Sequence, residues 1–488
     1  MELITRDILS PDIKFYEKDS TVKTKEDFDN GITFWKTILY EGYGLRPGNT
    51  VVMFDSTIKF NYYCCLLFAA AELGLKIILA PEHNKITGGK NDKMDAIVEK
   101  FGLIDLCLVD TISYRIPIVV KEIALYCKAH VNVNIFNTYK IKDPTNYELM
   151  QTTMFANPND IVLIATTSGT TGDPKVLSYT HQQMYRLARR NSQVYGYANE
   201  RICHTRNMHH AFIFMCHFLP VFYGTDQHYS YAVPNFEERP SDLEPFINFI
   251  ITNKISKLVL SYRMLVDTIL NYMIDNQLKF EHDIEFITGG FYLTKEYVDK
   301  IQKANVKGIY STFGSNETVS PVLLRYISQD TDTDSYQNNY LGKPCDDFYQ
   351  LTLTGQTLKV SCPALFGDEV ITMADDLTGD LESGYYHLGR SNFYRINEVE
   401  FKIFEVTDAI NKIFNGKYDV IVDLEYQKLY MAVWEGSADI EFINTALLNS
   451  VRVPISDLAN LDEKEYNTQF KLNTSDMREF FRTRNQTK

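Results

Sequence analysis

Short apolar strands alternating with helix-like runs constrain this chain most. Thr50–Asp55 reads as a strand, Phe60–Leu73 as a helix, Lys76–Ala80 as a strand and Asp95–Phe101 as a helix. Leu106–Val109 and Ile161–Ala165 are runs of Ile, Val and Leu such as buried parallel strands require. The middle repeats the pattern, with strands expected at Lys257–Leu260, Glu285–Thr288 and Gly308–Ser311. Alternation of this kind predicts an α/β architecture with layered sheets. From about Asn339 the texture changes to short alternating segments, Tyr349–Leu353 and Leu358–Ser361, which predict a small barrel-like antiparallel β-region. After Gly389-Arg390 a smaller α+β unit follows. It has helices near Val406–Phe414 and Ile440–Ser450 and strands near Tyr418–Leu424 and Lys428–Trp434.

Composition narrows the function classes. The 488 residues carry a formal net charge of −14, which argues against a protein that coats nucleic-acid phosphates with Lys and Arg. It does not argue against a nucleotide held at one local site. The longest apolar stretch, Tyr62 to Ala71, is too short to span a bilayer, and the start, from Met1 to Asp7, lacks the pattern of a signal peptide. The eight cysteines include no Cys-x-x-Cys, so a cytoplasmic protein with reduced thiols is expected. His204, His209, His210, His217 and His228 crowd together, but no Cys or Asp at ligand spacing joins them, so no structural metal site is expected.

The most informative segment follows the strand Ile161–Ala165. It reads Thr166-Thr167-Ser168-Gly169-Thr170-Thr171-Gly172-Asp173-Pro174-Lys175. Glycine lets backbone N–H groups approach a polyanion, hydroxyls donate hydrogen bonds, and lysine supplies charge. Such a loop can cradle phosphate. No Gly-Lys-Ser/Thr closes it, so it is not a Walker A loop.

The run Thr166–His181 resembles the signature of the adenylate-forming superfamily of acyl- and aryl-CoA synthetases, luciferases and peptide-synthetase adenylation domains, with Val176 where that signature usually has Gly. Other segments resemble the family in the expected order. Thr288-Gly289-Gly290-Phe291-Tyr292-Leu293 is similar to the segment that packs on adenine and borders the acyl pocket, and Phe313-Gly314-Ser315-Asn316-Glu317-Thr318 to the aromatic-Gly-x-Thr-Glu motif. The resemblance implies that Thr167, Ser168, Gly169, Thr170, Thr171, Gly172, Gly289, Gly290, Phe313, Gly314 and Asn316 contact nucleotide. It implies Lys175 on the phosphates and Glu317 on Mg²⁺, a hard cation that prefers carboxylate oxygen. Asp376 fits the spacing of the family's ribose carboxylate before Gly389-Arg390, with Asp375 as the alternative and Asp380 left in the following hairpin turn. Arg390 would also contact ribose. Asn467-Thr468-Gln469-Phe470-Lys471-Leu472-Asn473 resembles the segment whose lysine bridges carboxylate and α-phosphate, which makes Lys471 the catalytic lysine by resemblance, although Pro and Gly are missing. The implied organisation is an AMP-binding adenylation domain over residues 1–389 and a small mobile domain over residues 390–488.

The implied activity is ATP-dependent activation of a small-molecule carboxylic acid as an acyl-adenylate, then transfer to a thiol. Two departures bear on substrate and acceptor. Met208-His209-His210-Ala211-Phe212 aligns with the acyl-pocket segment, where amino-acid-activating relatives carry an Asp at the position of Ala211. A methyl group cannot anchor an ammonium, so a fatty or aromatic acid is expected, with His210, Ala211 and Phe291 lining its pocket. Glu398 stands where the family has the Gly that lines the pantetheine tunnel. The acceptor therefore stays open between CoA, an acyl carrier protein and an amine. A degenerate, non-catalytic nucleotide binder is the remaining alternative, motivated by Val176, Asn316, Glu398 and Phe470.

Overall fold

The computed structural model describes residues 2–17, 22–53, 60–79, 92–109, 126–132, 144–166, 175–205, 214–223, 227–231, 240–260, 263–291, 293–333, 336–390, 393–396, 399–414, 417–423, 428–435, 438–450 and 454–460. The chain forms two compact units. One is Met1–Gln350 with Ser361–Ile371, and the other is Leu351–Val360 with Thr372–Lys488.

The first unit is α/β, as the alternation predicts, and holds two sheets. In one, the strands run in the order His130–Asn132, Leu106–Val109, Thr50–Met53, Lys76–Leu79, Ile161–Thr166, Val176–Thr180. All neighbours are parallel except the last pair, which is antiparallel, with Thr166 opposite Val176. The phosphate-type loop is therefore the connection of a hairpin that leaves the C-terminal edge of a parallel sheet. The strand Val176–Thr180 was not expected from the sequence. Its residues are mostly half-buried, so it lacks the continuous apolar signal of Ile161–Thr166.

In the second sheet, parallel strands run in the order Gly308–Phe313, Glu285–Gly289, Lys257–Val259, Arg201–Thr205, Gln227–Tyr231, Lys14–Glu17. Helices Leu243–Thr252, Arg263–Asp275 and Lys295–Ala304 cover one face and bury Phe246, Ile250, Val266, Ile269, Val298 and Ile301 against Leu258 and Phe286. Burial of side chains this size contributes roughly 1.5–3 kcal/mol each. His204 and His228 are fully buried in strands of this sheet, against Phe218 and Phe222 respectively.

Helix His181–Val194 starts directly after the hairpin because Thr180 caps it. The Thr180 hydroxyl accepts from Gln183 N–H at 3.3 Å, and Gln183 Oε1 accepts from Thr180 N–H at 2.9 Å. Such a cap is worth about 1 kcal/mol. His181, its first residue, is fully buried and accepts a hydrogen bond from Ile4 N–H at Nδ1, 3.2 Å. Burial pushes its pKa down to about 4 against the opposing charge of Asp160, and burial pushes His228 down to about 3. Both rings are therefore neutral in the fold, and below about pH 6.5 the unfolded chain binds more protons. Their stabilisation is complete above pH 6.5 and is lost as pH falls through 5 toward 4 and 3. Urea unfolding measured from pH 7 to 4.5 should show stability falling by about 1.4 kcal/mol per pH unit for each ring. His181→Gln should flatten that slope, and equal stability at pH 7 and pH 5 would contradict the assignment.

A second buried polar cluster ties the N-terminal segment down. Glu72 is 1% exposed and accepts from Arg6 Nε at 2.8 Å, Arg6 Nη2 at 2.7 Å and Lys36 Nζ at 2.9 Å. Burial works against its charge but is outweighed by Arg6 and Lys36, so the Glu72 carboxyl is held below the usual range.

The strands Gln350–Thr354, Thr357–Ser361, Val370–Asp380 and Gly384–Arg390, most of whose residues belong to the second unit, follow one another in the sheet. Helices Ile403–Asn411 and Ile440–Ser450 bury Val406, Ile410, Ile443 and Leu447 against the strand Lys428–Glu435, which pairs with Lys417–Asp423 and Asp457–Asn460. Among the described residues no helix is long and apolar enough to cross a membrane.

Candidate nucleotide site

Two of the motif segments leave adjacent parallel strands at the same edge. Gly289 lies opposite Thr312, so the segment 289–291 and the segment 313–318 emerge side by side. The close approach explains the glycine: a Cβ at Gly289 would lie 2.4 Å from Thr312 Oγ1. Gly290 follows with φ +80°, a conformation that side-chain-bearing residues rarely adopt, and a Cβ there would meet open space. Thr312 Oγ1 donates to Thr288 O at 3.1 Å and Ser311 Oγ to Phe291 O at 3.3 Å, which stitches the two segments together. Phe291 is half-buried, packs on the core of the second sheet and lies 5.9 Å from the Tyr297 ring. Thr205, from which residues 206–213 depart, ends a strand of the same parallel set. In open parallel sheets, ligands bind outside such C-terminal strand ends.

The loop that carries Glu317 is closed by its own hydroxyls. Ser315 N–H donates to Thr318 Oγ1 at 3.0 Å, and Thr318 N–H donates to Ser315 Oγ at 3.2 Å. Val319 follows with φ +48°, a costly conformation for a β-branched residue that persists because neighbours enforce it. Tyr349 Oη donates to Thr318 O at 2.9 Å. Arg190 braces the far side. It is 5% exposed, binds Asp346 with two hydrogen bonds of 2.7 Å, and donates to Ser320 Oγ at 2.5 Å and Pro321 O at 2.8 Å. Burial alone would lower its pKa, but Asp346 outweighs this and the guanidinium stays charged.

Glu317 itself is half-exposed, and among the described residues its carboxylate has no hydrogen-bond or ion-pair partner. Lys175 is exposed and likewise has no ion-pair partner among the described residues. The hairpin and the Glu317 loop meet through Tyr179, whose hydroxyl donates to Asn316 O at 2.7 Å. One uncommitted carboxylate, one uncommitted lysine and an open glycine turn suit a magnesium-bound polyphosphate. Among the described residues no group of three or more His, Cys, Asp or Glu side chains is arranged to hold a metal ion.

The remaining expected positions belong to the second unit or lie outside the described residues. Asp376 is 4% exposed in the strand Val370–Asp380 of the second unit, opposite Gly389 at a bulge, and Asp375 lies opposite Arg390. Asp375 Oδ1 is 3.1 Å from His387 Nε2. Asp380 accepts from Glu382 N–H, Ser383 N–H and Ser383 Oγ at 2.7–2.9 Å, the pattern of a hairpin turn. Thr167, Ser168, Gly169, Thr170, Thr171, Gly172, His210, Ala211, Glu398 and Lys471 lie outside the described residues. Tyr179, Arg190 and Asp346 were missed in the sequence, because each is made important by a partner more than 100 residues away.

A Gly-rich hairpin loop and two motif loops at the C-terminal edges of parallel sheets define an α/β nucleotide-binding protein. Residues 117–357 match the family model of AMP-binding enzymes, and the fold around them is that of adenylate-forming enzymes. Solved structures share the fold at low identity. O-succinylbenzoate coenzyme A synthetase (MenE) from Bacillus subtilis, in complex with AMP, is 13% identical with a TM-score of 0.72, covering 96% of this chain and 95% of that one. The Mycobacterium tuberculosis fatty acyl CoA synthetase is 13% identical with a TM-score of 0.68, covering 95% of each chain. McyG A-PCP, complexed with phenylalanyl-adenylate, is 15% identical with a TM-score of 0.67, covering 95% of this chain and 90% of that one. Comparison with curated protein sequences gives no significant match.

Proposed function

We propose that the protein activates a fatty or aromatic carboxylic acid with ATP and passes the acyl group to a thiol, with CoA as the first candidate. The carrying observation is the pair of stitched loops beside the hairpin, with Glu317 and Lys175 both uncommitted among the described residues. In the proposed step a carboxylate oxygen attacks the α-phosphorus of ATP, pyrophosphate leaves, and an acyl-adenylate forms. No side-chain nucleophile is needed. The protein neutralises charge and aligns the reactants. Lys175 and the Thr167–Gly172 loop would hold the outer phosphates, Glu317 a Mg²⁺ that offsets their charge, Asp376 and Arg390 the ribose, and Lys471 the charge between acid and α-phosphate. The division into residues 1–389 and a swinging domain of residues 390–488 belongs to the same proposal. So does a cytoplasmic location, which the presence of all eight cysteines as thiols supports.

Glu398 favours a second reading in which the acyl group goes to a carrier protein or an amine. One assay separates them: pyrophosphate exchange and AMP release over fatty, aryl and amino acids, with and without CoA. Exchange with an apolar acid and a CoA-dependent product is the expected result. Exchange without that product moves the acceptor to a carrier or amine. No exchange with any acid leaves a non-catalytic nucleotide binder.

A further inference from the structure

We propose that Tyr179 is a positioning residue that fixes the Asn316–Glu317 peptide to the phosphate-loop hairpin, so that Lys175 and Glu317 present their charges to a magnesium nucleotide as one unit. The inference rests on the adenylation reading for the identity of the ligand, and on geometry for everything else. Tyr179 lies four residues after Lys175, on a strand whose backbone pairs Tyr179 with Leu163. Its ring is 5% exposed, and its hydroxyl donates at 2.7 Å to Asn316 O, 137 residues further along. The carbonyl of Asn316 and the N–H of Glu317 share one planar peptide. Anchoring that carbonyl therefore fixes the direction in which the Glu317 backbone leaves it. Among the described residues the rest of the loop is held at its ends, by the Ser315–Thr318 exchange, by Val319 N–H on Ser315 O at 2.9 Å, by the Thr318 hydroxyl on Ser315 O and Ser320 O, and by Tyr349 on Thr318 O. Tyr179 alone, among the described residues, holds the middle. Burial and the nearby Glu317 charge raise its pKa well above the ordinary tyrosine value, so it remains a donor across the working pH range.

The test is Tyr179→Phe, which keeps the ring and removes one donor. A hydrogen bond of this kind is worth about 1 kcal/mol net, which corresponds to roughly a five- to tenfold change in an equilibrium. Mg²⁺ titrations of ATP binding by calorimetry should show the half-saturating Mg²⁺ concentration rising by about that factor, with the thermal midpoint nearly unchanged. The maximal exchange rate at saturating Mg²⁺ should change much less. Replacing Tyr179 with 4-aminophenylalanine, which restores a donor at the same place, should return the Mg²⁺ dependence toward wild type. Tyr418→Phe, which removes a phenol-to-carbonyl bond of 3.0 Å elsewhere, should not shift it. An unchanged half-saturating Mg²⁺ concentration in a folded Tyr179→Phe protein overturns the proposal, as does an equal shift in Tyr418→Phe. Magnesium-dependent ATP binding without acid-dependent exchange sinks the adenylation reading and leaves the Tyr179 comparison decisive. Absence of magnesium-dependent ATP binding in the wild type overturns both.

Discussion

Lys471→Ala should reduce acid-dependent pyrophosphate exchange by about 100- to 1000-fold, the usual cost of removing one preorganised charge from a phosphoryl-transfer site. The protein should keep its fold, because nothing in the sequence around Lys471 resembles a core segment. ATP binding should fall far less than exchange, since this lysine is assigned to the charge that develops between acid and α-phosphate. Lys471→Arg should not rescue fully, because a planar guanidinium replaces a compact ammonium. Single-turnover formation of an acyl-adenylate, followed with a labelled acid, is the direct measurement. Exchange at the wild-type rate in Lys471→Ala would falsify the assignment of the lysine, and attention would move to the other lysines of residues 461–488.

Arg190→Leu should be strongly damaging although it touches none of the reacting groups. The side chain is 6% exposed and Asp346 is 29% exposed, so the substitution leaves a partly buried carboxylate without its partner. It also strips donors from Ser320 and from the carbonyl of Pro321. Breaking a buried pair in this way costs about 3–5 kcal/mol. Chemical denaturation should report a loss of that size. The double variant Arg190→Leu, Asp346→Leu should recover part of it, because it removes the orphaned charge. If the single variant unfolds at the wild-type denaturant concentration, the brace carries no stability.

The strands Ile161–Thr166 and Glu285–Gly289 were legible because buried parallel strands need continuous apolar runs, and the helix Ile440–Ser450 because its apolar spacing is helical. The loops were legible because glycine and hydroxyls at fixed spacing serve one chemistry. What escaped was everything set by distant partners. Val176–Thr180 is half-buried on both sides of its alternation, so its pairing with Ile161–Thr166 left no apolar signature. Tyr179 and Arg190 look like ordinary interior and surface residues until Asn316 and Asp346 stand beside them. The two candidates for the ribose carboxylate, which the sequence ranks by spacing alone, differ in their surroundings. Asp375 sits beside His387, while Asp376 occupies the bulged position and is nearly fully buried.

The long reach of the Arg190 brace also dictates an order of events during synthesis. Asp346 is 156 residues downstream, and ribosomes add roughly 5–20 residues per second, so about 8–30 s pass before the arginine can meet its carboxylate. The Glu317 loop is translated near the end of that interval, between the two halves of its own support. The strand Ile161–Thr166 and its hairpin partner can pair as soon as they emerge. The phosphate-loop hairpin is thus an early feature of the nascent chain, and the carboxylate loop a late one. Until Asp346 arrives, the growing polypeptide carries an arginine whose carboxylate partner has yet to be made.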